Sequence, residues 1–170
     1  LPDPNFADSA VYLCSHEAEG TLGVVLNQPT DLTLAQVLEH LNIRPTLSGL
    51  EAEPVFRGGP VQTEQGFVLH SDECVWEHTV SVRPGTALTS SPDVLEALAH
   101  GEGPGRYRLM LGYAGWGAGQ LESELGENSW LAVPADADLI FGTPYGALRE
   151  AAARRLGVDL SQLVQQGGHA

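Results

Sequence analysis

Lysine does not occur anywhere in this 170-residue chain. Its absence removes the phosphate-gripping lysine of a P-loop, a Schiff-base lysine and the lysine of a protein kinase. All eight basic residues are arginine, set against 22 acids for a formal net charge of −14. Phosphate neutralisation takes clustered cations, and only Arg154 and Arg155 are neighbours in the chain. A broad nucleic-acid-binding face is therefore not expected, nor a site on anionic lipid. Cysteine is nearly as scarce. Cys14 and Cys74 are too few for a disulfide framework, so a reduced, cytoplasmic protein is the expectation. No apolar run approaches the length of a membrane span. No G-x-S-x-G element occurs, which leaves a serine hydrolase little support. The start, Leu1-Pro2-Asp3-Pro4, lacks a methionine and reads as clipped, with no signal peptide visible.

What is present suffices for a packed core, since the hydrophobic fraction is 42% and the charged fraction 18%. Residues 1–170 read as a single domain, or as two small lobes sharing one core. Strand signals fall at Val11–Cys14, Leu22–Leu26, Val55–Arg57, Gly66–His70, Thr79–Arg83, Ala87–Thr89, Tyr107–Tyr113 and Trp130–Val133. Asn27-Gln28-Pro29 reads as a turn, and residues 45–53 as an exposed acidic loop. Thr33 can cap a helix whose apolar face is Leu34, Val37, Leu38 and Leu41, stopped by Arg44-Pro45. Ser91-Pro92-Asp93 opens a second helix that ends at Gly101, with serine as its cap. A third starts near Gln120, and Thr143-Pro144 opens the last, which stops at Gly157. Hairpin-length gaps favour an α/β (α+β) fold on a mixed, largely antiparallel sheet.

Several segments carry possible chemistry. Four glycines surround Trp116 in Gly112–Gly119, between a strand and a helix. Such a loop can present backbone amides to an anion, or it can be a tight turn that buries Trp116. The spacing misses G-x-G-x-x-G because position 120 is glutamine. Gly58-Gly59-Pro60 can form an anion nest or pocket wall, or simply a sharp turn. In Cys14-Ser15-His16, a regular strand puts Cys14 and His16 on one face, where the imidazole can stabilise a thiolate. A buried core cysteine beside a strand-end histidine reads the same way. His70, Cys74 and His78, with Cys14 and His16, are the candidate metal ligands. Their strand-and-loop setting and the missing paired spacings speak against a metal. The acid pairs Glu122/Glu124 and Asp136/Asp138 can do general acid–base work or solvate the surface.

These motifs, in this order, resemble the AlgH/YqgE family of bacterial proteins over nearly the whole chain. Asp3-Pro4-Asn5-Phe6 is similar to the family's D-P-x-F start, and Val11–His16 to its V-Y-[IL]-C-x-H, with Ser15 where an acid is usual. Gly23–Pro29, including Asn27, is similar to G-x-[VI]-[VI]-N-x-P. Gly58-Gly59-Pro60, Gly66–His70, Leu88–Ser91 with Asp93–Glu96, and Leu111–Trp116 continuing through Gly119–Glu122 follow in order. Asn128–Leu131 and Gly168-His169-Ala170 complete the match. The family carries an apolar strand before its D-P-x-F start, so this chain is expected to lack that strand. Cys74 and His78 fall on no family motif. The resemblance implies a mixed sheet with helices packed on both faces, and no established biochemical activity. The family's name comes from a proposed role in regulating alginate synthesis in a pseudomonad.

The expectation is thus a cytoplasmic regulatory protein that binds a small ligand or a protein, with no direct nucleic-acid partner, no membrane partner, no cofactor and no metal. Monomer or weak homo-oligomer is the expected state. The ligand-binding candidates are Cys14, His16, Asn27, Gly58, Gly59, Pro60, Tyr113, Gly115, Trp116, Gly117 and Gly119. They would meet in one cleft between the Cys14–His16 strand and the two glycine-rich segments. The alternative is a cysteine-dependent enzyme with Cys14 as nucleophile and His16 or His70 as base.

Overall fold

Neighbouring residues along the central strands enter different cores, as a pleated backbone with apolar residues on both faces requires. Val55, Val68 and Leu109 join one cluster, while Phe56, Leu69 and Met110, the next residues in sequence, join another. The structure is a computed structural model that describes residues 8–155. The Asp3–Phe6 motif, the Gly157 helix stop and the Gly168-His169-Ala170 end lie outside those residues.

Among the described residues, eight strands form one sheet: β1 (Val11–Glu17), β2 (Gly20–Val25), β3 (Pro29–Thr33), β4 (Pro54–Arg57), β5 (Val61–His70), β6 (Thr79–Arg83), β7 (Thr86–Thr89) and β8 (Tyr107–Gly117). The α-helices that accompany them there are α1 (Leu34–His40), α2 (Asp93–Ala99), α3 (Gln120–Gly126), α4 (Ala137–Gly142) and α5 (Leu148–Arg154). The main path is β1-β2-β8-β5-β7-β6, and β4, paired with β3, also joins β8. Each of these pairings is antiparallel except β4 with β8. The expected mixed, largely antiparallel α+β fold is what the chain adopts. Helices α1 and α2 cover one face through Leu34, Leu38, Val94, Leu95 and Leu98. Helices α4 and α5 cover the other through Ile140 and Leu148. The sheet curls so far that its two ends meet through side chains. Arg83 on β6 donates from Nη1 to the Leu13 carbonyl on β1 at 2.8 Å.

Local signals explain both ends of α1. Thr33 and Gln36 close a reciprocal capping box at the start of α1. That helix stops at His40, before Arg44-Pro45, because Asn42 takes a left-handed conformation at φ 59°. Ile43 N–H then reaches the Leu38 carbonyl at 2.9 Å and Asn42 N–H that of Glu39 at 3.1 Å, the Schellman closure.

Several elements differ from the sequence reading. The turn at Asn27-Gln28 leads directly into β3, which starts at Pro29. Residues 45–53 are not wholly exposed, since Leu50 is buried at the start of a short 3-10 turn. Ser91 does not cap α2; its Oγ accepts from His78 N–H at 3.0 Å and donates to the Asp93 carboxylate. Trp130–Val133 is irregular and pairs with no strand among the described residues. Asp136 caps α4, which the sequence reading omitted, and Thr143-Pro144 leads through a 3-10 turn before α5 begins. The expected glycine loop is largely strand, because β8 runs to Gly117 with Met110, Gly112, Ala114 and Trp116 buried alternately.

Candidate functional site

The β1–β2 hairpin carries a bulge that decides where Cys14 and His16 point. Leu13 pairs with Gly23 and Ser15 with Leu22, so Cys14 is an extra residue. Tyr12 and Cys14 pack on the cluster of Phe56, Leu69 and Met110. Val11 and Leu13 pack on the opposite cluster, with Trp116 and Leu121. Beyond the bulge, His16 sides with Leu13. Its Nδ1 lies 2.5 Å from Thr21 Oγ1, and its Nε2 lies 3.5 Å from a Glu122 carboxylate oxygen. Cys14 and His16 therefore do not share a face, because the inserted residue inverts the alternation. Burial pushes the Cys14 thiol up to about 11, although Arg83 pulls the other way. A thiol held protonated at neutral pH, with no imidazole beside it, is not an activated nucleophile. His70 is fully buried, with Nδ1 2.7 Å from the Ser71 carbonyl and Nε2 2.6 Å from Thr89 Oγ1. It supplies no base to Cys14. Cys74 is exposed, and no group of three metal-ligating side chains is gathered among the described residues.

The glycine-rich segments serve close backbone packing. The Gly58-Gly59-Pro60 segment crosses directly over β8. Gly58 N–H donates to the Leu111 carbonyl at 2.7 Å, and the Gly58 carbonyl accepts from Val25 N–H at 2.8 Å. A Cβ on Gly59 would overlap the Tyr113 carbonyl, and one on Gly112, at φ +77°, would lie 2.5 Å from the Gly59 carbonyl oxygen. Pro60 borders a shallow surface depression with Gln62–Gln65. Gly115 and Gly117 pair with Leu22 and Gly20 on β2, and Gly119 turns the chain into α3 at φ +74°. Tyr113 meets Phe67 edge to face at 6.0 Å. Asn27 anchors the chain entering β1, accepting from Ala10 N–H at 2.9 Å and donating to the Asp8 carbonyl at 3.0 Å.

An apolar cavity lies elsewhere. It has a volume of about 230 Å³ and is bounded by Ser9–Leu13, Leu26, α3, the irregular segment Trp130–Ala135, α4 and α5. Of the predicted site residues, only Trp116 lines it. Leu26, Leu121, Leu139, Ile140 and Leu148 supply apolar walls. Among the described residues, Arg83 and Arg149 are the only charged side chains on its lining. The Arg83 guanidinium sits 5.0 Å over the Tyr12 ring, whose hydroxyl is 2.6 Å from Thr86 Oγ1. Arg149 faces the entrance to β1, with Nη1 3.9 Å from an Asp8 carboxylate oxygen. A clamp holds the start of this irregular segment. Glu124 Oε1 accepts from the indole N–H of Trp116 at 3.1 Å and of Trp130 at 2.8 Å. The two rings meet edge to face at 5.8 Å. Sequence reasoning missed this cavity because its walls come from segments far apart in the sequence. The usable signal was the apolar run Trp130–Val133 read together with Leu139, Ile140 and Leu148.

Comparisons with known proteins follow this architecture. A family model described as AlgH-like matches residues 1–161. The UPF0301 protein of Thioalkalivibrio sulfidiphilus is 52% identical over 170 residues, covering 100% of this chain and 91% of that protein. A counterpart from Stenotrophomonas maltophilia is 49% identical over 169 residues, covering 99% of this chain and 90% of its own. The solution structure of the AlgH protein from Pseudomonas aeruginosa is similar with a TM-score of 0.81 and 45% identity, covering 100% of this chain and 90% of that one. The crystal structure of DIP2367 from Corynebacterium diphtheriae shares the fold, with a TM-score of 0.71, 18% identity, and coverage of 91% and 81%.

Proposed function

This chain belongs to the AlgH-like family, and from that premise we propose that it is a cytoplasmic regulatory protein that binds a small molecule in this cavity and acts through a protein partner. One observation carries the reading: an apolar cavity of about 230 Å³ whose only charged lining groups, among the described residues, are two arginines. Apolar walls with a few placed polar groups are the usual build of a small-ligand site. An engineered apolar cavity of about 150 Å³ takes benzene, so this one suits a small amphiphile. The net charge of −14 supports a protein or small-molecule partner over DNA. The two free cysteines support a reducing compartment.

The test is a thermal-shift screen of small apolar and amphipathic fragments, 1-octanol among them, on the wild type and on Ala152→Phe. Ala152 lines the cavity, and a benzyl group there fills it. Fragments that bind only the native state raise the melting temperature. Binders are expected to stabilise the wild type and leave the filled variant unmoved. If no fragment stabilises the wild type, or if both proteins respond equally, the cavity is not the site.

A further inference from the structure

We propose that the cavity selects an anionic amphiphile, a monocarboxylic acid with a short apolar tail, whose carboxylate pairs with Arg149. This rests on the cavity being the ligand site, and it deepens that reading by naming the ligand class.

The charge distribution points there first. The chain holds 22 acids against eight arginines, yet among the described residues no acid lines the cavity and two arginines do. The charged groups on the lining are thus of the sign opposite to the molecule's net charge. A neutral apolar ligand would need no cation on these walls.

The two arginines then divide the work. Arg83 is already committed to the Leu13 carbonyl and the Tyr12 ring. It shapes the wall and adds positive potential. Arg149 is not satisfied in this way. Its side chain is only 20% exposed, and its Nε is buried without an acceptor among the described residues. The Asp8 carboxylate at 3.9 Å is too far for a hydrogen bond, and that side chain is 86% exposed. A buried guanidinium donor without an acceptor is costly, and a ligand oxygen removes that cost.

Geometry and solvation select the headgroup. The guanidinium presents parallel N–H donors that match both oxygens of a carboxylate. A phosphomonoester brings nearly twice the charge into apolar walls with one unsatisfied arginine, so its desolvation is poorly compensated. The tail meets Leu26, Leu139, Ile140 and Leu148. Trp116 and Trp130 also line the cavity, so their emission reports occupancy.

The experiment titrates octanoate, 1-octanol and octylamine into the full chain, read by tryptophan emission and by calorimetry. Octanoate is expected to bind at least about tenfold more tightly than octanol, the scale of a charge-assisted hydrogen bond, and octylamine more weakly than octanol. Arg149→Met keeps the apolar stem and is expected to abolish the octanoate preference while octanol still binds. That retained octanol binding shows that the variant's cavity is intact. Arg149→Lys keeps the charge without the fork and should recover part of the preference. Octanol binding as tightly as octanoate, or an octanoate preference that survives Arg149→Met, overturns the anionic assignment and leaves the cavity reading standing. Binding of none of the three overturns both.

Discussion

In β1 the Cys14 side chain packs beside Tyr12 and Met110, while the bulge turns His16 toward Glu122. Burial holds the thiol at about 11 against an ordinary 9.0. Because the fold keeps a proton that the unfolded chain releases near 9.0, stability from this group is complete below that value. It is lost as pH rises through about 11. Retaining that proton in the folded state contributes roughly 2–3 kcal/mol. Tyr107, pushed up to about 12 by burial and by Glu53, extends the same trend. The wild type is expected to lose stability between pH 9 and 11 more steeply than Cys14→Ala, measured by urea unfolding across that range. Iodoacetamide should modify Cys74, which is exposed, well before Cys14 at about pH 8, below the ordinary thiol range; rapid alkylation of Cys14 would contradict the buried thiol. The presence of cysteine and histidine in β1 was legible in the sequence, but their relation was not. A one-residue bulge has no composition of its own, and it reverses every facing that follows.

Among the elements, α1 and α3 were legible and Trp130–Ala135 was not. Thr33 and Gln36 form a local capping box, so the start of α1 needs no distant partner. The same holds for Asp136 at α4, which sequence reading overlooked because the helix has only six residues. The Trp130–Ala135 segment has apolar residues suited to a strand, yet it pairs with none among the described residues. It is held by the Glu124 clamp and by packing on α3. Glu124→Ala leaves two indole N–H groups without their common acceptor. The expected cost is about 1–3 kcal/mol, with a red shift in tryptophan emission as Trp130 loosens. An unfolding midpoint and spectrum equal to those of the wild type would show that the clamp contributes nothing. Gly59 and Gly112 belong to this scale too. Each glycine stands where a segment crosses β8 too closely for a Cβ. The sequence marks such places as glycine-rich, and a ligand loop carries the same mark.

For the whole molecule, the charge of −14 is the dominant electrostatic fact. It predicts no mobility shift of duplex DNA even at low salt, where counterion release favours any phosphate-binding protein most. A shift that fades steeply with added salt would overturn this. Composition, charge and the ordered motifs settled the family, the class of fold and the scarcity of cations. Alternation follows from pleating, a local property, along a regular stretch such as Met110–Trp116, but the bulge in β1 breaks it. What the tertiary structure alone decided was where a cavity lies. The sequence reading gathered Cys14–His16 and the glycine-rich segments into a cleft. Packing instead spends the glycines on backbone crossings and leaves a cavity among α3, α4, α5 and the entrance to β1. Its two arginines lie 66 positions apart in the sequence, at 83 and 149. No local pattern links them, because only the curling of the sheet and the docking of α5 bring both to one set of apolar walls.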